Sequence, residues 1–191
     1  LSFNVNKIIT TGSGGSLLIK TKKDFKKAKS LINQSKKDKI FFVHNQIGYN
    51  YGMPNINASL GLSQISKIND ILNKKRNIHS HYKKLFLNCN KIEFLSSNDN
   101  SKPNCWLNTI SVKTKNYVEF KKKILSLIKK GIDVRPLWLP CHLQVFLNKF
   151  ERFKIYNANK LYKEIVCIPS SYFLKKKDLQ LISRQIINEF E

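Results

Sequence analysis

Apolar positions along this chain recur at two spacings, and the changes between them outline its elements. Ile8-Ile9 and Leu17-Leu18-Ile19 are short apolar runs that predict two strands, with Thr11-Gly12-Ser13-Gly14-Gly15 as the reversal between them. Phe25, Ala28, Leu31 and Ile32 then fall three and four apart with lysines opposite, the pattern of an amphipathic helix. Thr21 and Asp24 stand at its start, where a hydroxyl and a carboxylate can satisfy exposed amides. That helix ends near Asn33, and a polar loop over 33–39 leads to the apolar segment Ile40-Phe41-Phe42-Val43. After Pro54, suited to a helix's first turn, Ile56, Leu60, Ile65, Ile68 and Leu72 trace roughly one helical face. A further helix is predicted over 74–86, with its lysines and histidines on the exposed side.

The period changes beyond residue 90. Residues 92–94 and 105–112 read as strands, with Trp106, Ile110 and Val112 sharing a face and a polar turn over 96–102 between them. Residues 117–130 form a clear helix through Phe120, Ile124, Leu127 and Ile128, stopped at Gly131. Residues 132–138 return as a strand running into a loop. A short helix over 157–166, a strand end over 167–171 and an amphipathic helix over 177–190 through Leu179, Ile182, Ile186 and Phe190 close the chain.

Composition narrows the class. With 191 residues, 41% hydrophobic and 11% aromatic, the chain can bury a core as one domain or two small ones. No run of about 18 apolar residues is present, so no membrane partner is expected. No basic-then-apolar leader opens it, and the scattered Cys89, Cys105, Cys141 and Cys167 read as reduced core thiols of a cytoplasmic protein rather than a zinc site. The chain begins at Leu1 inside what reads as a functional segment, so truncation is expected.

A net charge of +23 suggests an anionic partner, and a non-catalytic basic module for nucleic acid or acidic polymer is the alternative function. Only four of the 35 basic residues are arginine, however, and they are scattered at 76, 135, 152 and 184. Lys, Asn, Ile and Phe enriched together mark an AT-rich coding sequence. The charge is therefore read as drift on solvated faces, and nucleic acid is not expected as a partner.

Three stretches carry candidate chemistry. In the first, Lys7 stands between a polar turn and apolar runs, where burial would lower its pKa and free the amine for imine chemistry. The second, His44-Asn-Gln-Ile-Gly48-Tyr49-Asn50-Tyr51-Gly52-Met53-Pro54-Asn55-Ile56-Asn57, is an irregular polar-lined segment. The third, Arg135-Pro136-Leu137-Trp138-Leu139-Pro140-Cys141-His142-Leu143-Gln144, presents an arginine, a tryptophan and a histidine from a backbone stiffened by prolines. Cys141 beside His142 is a poor thiol–base pair, because neighbours on an extended chain point apart.

These stretches resemble the DegT/StrS family of PLP-dependent sugar-nucleotide aminotransferases. Within it they are most similar to the branch that aminates UDP-4-keto-6-deoxy-N-acetylhexosamines. The family's version of the first stretch reads Ser-Phe-Asn-Gly-Asn-Lys-Ile-Ile-Thr-Thr-Gly, with Val5 here replacing its glycine. The second reads Gly-Tyr-Asn-Tyr-Arg-Met-Pro-Asn-Ile, with Gly52 here replacing its arginine. The third reads Arg-Pro-x-Trp-x-Pro-x-His-x-Gln. The resemblance implies an α/β fold: the C-terminal part of the large PLP-dependent transferase domain over residues 1–75, then a small α+β domain over 76–191. It implies pyridoxal 5′-phosphate as cofactor and Lys7 as the catalytic lysine that carries it. Ser2 is then the hydroxyl on the cofactor phosphate in the same subunit, and Asn50 reaches the phosphate of the neighbouring subunit in a homodimer. Tyr51, Arg135, Trp138 and His142 are the implied contacts for a nucleotide sugar, with glutamate as amino donor. The cofactor-ring contacts of such enzymes precede the lysine stretch, so the 191 residues alone are expected to be inactive.

Overall fold

The structure, a computed structural model, describes residues 1–38, 40–97 and 100–191. Lys39 of the expected 33–39 loop, and Asn98 and Asp99 of the expected 96–102 turn, lie outside them. The chain forms two compact units, Leu1–Asn69 and Asp70–Glu191.

The first unit is a frame of loops and two helices. Helix α1 (Lys22–Ile32) starts at Thr21, whose hydroxyl accepts from the Asp24 amide at 3.1 Å and donates to the Asp24 carboxylate at 2.7 Å. The expected pair of start residues is therefore in place, although the carboxylate takes the hydroxyl proton rather than a backbone amide. Helix α2 (Asn55–Ile65) begins immediately after Pro54 and stops at Ser66, which splits the expected continuous face from Ile56 to Leu72. The predicted strands at Ile8-Ile9 and Leu17-Leu18-Ile19 do not form. Residues 1–3 instead lie against 14–16, joined by Phe3 N–H to Gly14 O, Ser16 N–H to Leu1 O and the bridge between Ser2 and Gly15. Their amides are spent closing a loop, so they build no ladder. Several apolar side chains of this unit are exposed, Leu18 at 83% and Phe41 at 77%.

The second unit holds the core. Helix α3 (Ile68–Leu85) leads to β1 (Ile92–Leu95), β2 (Asn108–Val112), α4 (Tyr117–Lys129), β3 (Arg135–Pro136), α5 (Tyr156–Leu161), β4 (Ile165–Ile168) and α6 (Lys176–Phe190). The sheet runs β1-β2-β4-β3, antiparallel throughout, with Ile92 opposite Val112, Asn108 opposite Ile168 and Arg135 opposite Cys167. Ile110, Val112, Val166 and Ile168 share the face that packs on Tyr82 and Phe86 of the α3 end, Phe120 and Leu127 of α4, and Ile186 and Phe190 of α6. Each such side chain, fully buried, contributes about 1.5–3 kcal/mol from apolar area. The start of α4 is fixed by Asn116, whose side-chain oxygen accepts from the amides of Val118 and Glu119, each at 3.0 Å.

Two expectations need correction here. Ile165 and Val166 belong to a strand and not to the helix expected over 157–166. All four residues of β4 are buried, so the alternation that marks a half-buried strand is absent. The Lys and His of α3 do not all face water either: Lys75 is buried, and the His79 ring packs edge-on against Phe94. Among the described residues no helix is long and apolar enough to cross a membrane. No group of three metal-binding side chains occurs among them, and all four cysteines are free.

Candidate functional site

The structure holds the sequence-derived site residues on three frames, two in the first unit and one in the second. Lys7 sits within the loop 4–13, above the paired segments 1–3 and 14–16, in a turn closed by its own N–H to Asn4 O at 3.0 Å. The side chain is half-buried. Ser2 lies at the base of the same loop, exposed, its Oγ accepting from the Asn4 amide at 3.4 Å. That leaves the hydroxyl proton to be given to an oxyanion. The return of the loop runs through Gly12 and Gly14, whose φ values of +81° and +97° suit glycine.

Helix α2 clamps this loop from one side. Gln64 Oε1 accepts from the Thr10 amide at 3.0 Å, and Asn57 Nδ2 donates to Thr11 O at 2.5 Å. Gly61 lets the helix approach, since a Cβ there would stand 2.7 Å from Thr11 Cγ2. Thr11 is buried as a result, at 4% exposure. Asn57 and Gln64 were not readable as site residues: each is a polar side chain on a helix, and the signal lies in which backbone it meets.

Asn50 occupies the second frame. Its segment runs along the end of α1, with Tyr49 N–H to Leu31 O at 2.7 Å, Tyr51 N–H to Ile32 O at 3.0 Å and a bridge between Asn33 and Asn50. The Asn50 side chain is exposed and lines a cavity of about 560 Å³ with Lys26, Lys29 and Lys36. Tyr51 stacks on Tyr49 at 5.0 Å between ring centroids.

The third frame, in the second unit, carries Arg135, Trp138 and His142. Arg135 is exposed at the start of β3 and pairs with Asp133 at 2.7 Å. Trp138 stacks on Trp106, centroids 6.2 Å apart and planes at 22°. His142 follows in a short 3₁₀ turn, where its Nε2 meets Asn159 Oδ1 at 2.6 Å. An amide oxygen only accepts, so Nε2 is the donor in this contact. Cys141 is exposed beside it.

A buried polar chain lies behind Trp106. Lys75 Nζ donates to Trp106 O at 2.9 Å and to Ser170 O at 2.5 Å. Ser170 Oγ accepts from Asn108 N and Nδ2, and Asn108 Oδ1 faces His79 Nδ1 at 2.9 Å. Burial holds the Lys75 amine below its ordinary value of 10.5, with the Cys105 thiol acting the other way. Burial likewise pushes the Cys105 and Cys167 thiols up, and pushes the Tyr82 phenol up where its OH donates to Pro169 O.

Comparison with known proteins gives a consistent picture. The profile of the DegT/DnrJ/EryC1/StrS aminotransferase family matches residues 1–187. The chain is 30% identical over 176 residues to EpsN of Bacillus subtilis, covering 88% of this chain and 44% of that protein. It is 30% identical over 191 residues to GDP-perosamine synthase of Escherichia coli O157:H7, covering 99% of this chain and 50% of the relative. It is 26% identical to a UDP-4-amino-4,6-dideoxy-N-acetyl-beta-L-altrosamine transaminase of Campylobacter jejuni, over 100% of this chain and 51% of that enzyme. The solved structure of Helicobacter pylori PseC, an aminotransferase of pseudaminic acid biosynthesis, superposes with a TM-score of 0.89 at 24% identity, over 98% of this chain and 52% of that one. The PLP form of a sugar aminotransferase from Streptococcus pneumoniae gives 0.85 at 19% identity, over 98% and 50%. These neighbours give the fold as that of the PLP-dependent sugar aminotransferases, the α/β architecture expected from the sequence. The chain spans about half the length of the curated relatives it matches.

Proposed function

Because the chain belongs to the DegT/DnrJ/EryC1/StrS aminotransferase family, a family of PLP-dependent enzymes, we propose that it is the lysine-bearing half of a nucleotide-sugar transaminase. The substrate is a nucleotide-linked 4-keto-6-deoxy sugar and the amino donor is glutamate. The product is a precursor for surface polysaccharide or glycan. Residues 1–75 belong to the cofactor domain and 76–191 to a small α+β domain.

The residues present fit two ends of the cofactor. The Ser2 hydroxyl, with its proton uncommitted, suits a phosphate oxygen, and the Lys7 amine stands in the same clamped loop. A carboxylate for the ring nitrogen is not supplied by residues 1–69. Their two acidic side chains, Asp24 and Asp38, accept from Thr21 and from the Ile40 and Phe41 amides. In the family such a contact precedes the lysine stretch.

When bound, PLP supplies an aldehyde for an amine and a ring that withdraws electrons from the carbon to be deprotonated. Lys7 Nζ would hold the cofactor at its aldehyde and would be the base that takes a proton from the donor's α-carbon. Ser2 Oγ donates to the phosphate and fixes the cofactor's position. The Asn50 amide does the same from the neighbouring subunit of a homodimer. Arg135 offers a planar pair of donors for the sugar nucleotide's diphosphate. Tyr51, Trp138 and His142 are each proposed as contacts for the nucleotide sugar.

The observation that carries this reading is the loop itself, with Ser2 at its base, Lys7 within it and Asn57 and Gln64 holding it. Borohydride reduction with PLP in the full-length protein should label the peptide containing Lys7. A label on another lysine, with Lys7→Ala still active, refutes it.

A further inference from the structure

We propose that Trp106 and Trp138 together form a platform for the nucleobase of the nucleotide sugar, and that Lys75 is the positioning residue that holds this platform. The proposal rests on the nucleotide-sugar reading and adds a base subsite to it.

The two indoles come from segments 32 residues apart, one preceding β2 and one following β3. Their offset stack covers one face of Trp138, yet that side chain remains 66% exposed. A large apolar ring held flat against a second ring, with its outer side in water, suits a planar aromatic ligand. Base stacking on an aromatic side chain changes affinity by about five- to a hundredfold and accepts any base. Arg135 precedes Trp138 by three residues, a chain reach of about 10 Å at most. That is the scale of the ribose and phosphates between a base and the far end of a diphosphate. The ion pair of Arg135 with Asp133 is exposed on both sides, so a diphosphate can displace the carboxylate.

Preorganisation is what separates this pair from a chance surface contact. Pro136 and Pro140 bracket Trp138, and the intervening Leu137 amide donates to Ile165 O at 3.2 Å. The Trp106 amide donates to Asn104 Oδ1 at 3.0 Å, and its carbonyl accepts from Lys75 at 2.9 Å. Lys75 is 6% exposed, and its amine meets main-chain carbonyls from two separated segments. A buried amine is a costly way to fill space, and an apolar residue of similar size would pack there at lower cost. Its geometry ties α3 at once to the residue carrying one indole and to the end of β4.

The test is direct because the chain has two tryptophans and both are in the platform. Uridine monophosphate titrated into the full chain should quench tryptophan emission saturably. Ribose 5-phosphate and inorganic pyrophosphate at equal concentrations should not. Trp138→Ala, a surface change, should weaken uridine monophosphate binding measured by calorimetry at least fivefold. Lys75→Met, folded by circular dichroism, should weaken it at least fivefold and shift the emission to the red. Equal quenching by ribose 5-phosphate, or full affinity in Trp138→Ala, overturns the platform. Full affinity in folded Lys75→Met overturns the positioning role, and if that variant does not fold, Lys75→Arg restoring affinity or failing to do so decides it. Labelling of Lys7 involves neither tryptophan, so failure here leaves the transaminase reading standing, and the reverse holds.

Discussion

Replacing Ser170 with alanine deletes one hydroxyl at which three hydrogen bonds meet. Its Oγ accepts from Asn108 N at 2.8 Å and Asn108 Nδ2 at 3.1 Å, and donates to Ile168 O at 2.7 Å. Both residues are buried, Asn108 almost completely. The Asn108 amide is held in register opposite Ile168 and cannot turn away, so leaving it unpaired costs about 1–3 kcal/mol. Nδ2 loses the same partner, and rotating the amide would sacrifice the contact of Oδ1 with His79. The sum is about 2–4 kcal/mol. Lys75 binds the Ser170 carbonyl, not the hydroxyl, so its contact survives the change. Urea unfolding followed by far-ultraviolet circular dichroism should show the midpoint lowered by about 1–2 M at unchanged slope. A loss under about 0.5 kcal/mol would mean that the hydroxyl is replaceable by water and that the network is not a fixed one.

Two further outcomes follow from local chemistry. Gly52→Arg is sterically open, since a Cβ there meets Asn33 Oδ1 at an ordinary 3.5 Å. In the full-length enzyme it should lower KM for the nucleotide sugar and leave PLP affinity unchanged; an unchanged KM shows that no substrate contact is missing at this position. Burial works against the Glu189 carboxylate, but the Lys130 ammonium at 2.5 Å, the Ser126 hydroxyl and Lys123 outweigh it and hold the carboxyl below its ordinary 4.5. Its contribution to stability is therefore complete above 4.5 and lost as pH falls through the lower folded value. The melting temperature should fall more steeply with acid in the wild type than in Glu189→Gln, and parallel curves would refute the assignment.

Elements whose local signals agree were legible. For α4, a stripe at Phe120, Ile124 and Leu127 and a stop at Gly131 point the same way, and α6 shows its stripe at Leu179, Ile182 and Ile186. Strand β4 was partly hidden, because burial on both faces erases the period that betrays a strand. Lys75 and His79 were misread as solvated because lysine and histidine mark an exposed face on average. Only the carbonyls of Trp106 and Ser170, 31 and 95 residues away, make the burial of a lysine possible. At the candidate site, Gly12 and Gly14 were legible as turn glycines, although the strands expected on either side of them do not form. The clamps from Asn57 and Gln64 could not, since nothing local to a helical amide says which backbone it will meet.

The strand order has a consequence for synthesis. β4 lies between β2 and β3 but is made after both. At about 5–20 residues per second, the ribosome takes about 3–10 s to pass from the end of β2 to the start of β4. Throughout that interval β2 presents a bare hydrogen-bonding edge to its surroundings, the feature that recruits foreign strands. β3 waits with nothing to pair with. The Lys75 ammonium stays hydrated, since one of its two carbonyls belongs to a residue not yet made. Closure of the nascent sheet thus coincides with withdrawal of a cation from solvent. A chain stalled before residue 165 would present a chaperone with an unsealed sheet edge and a charge still in water.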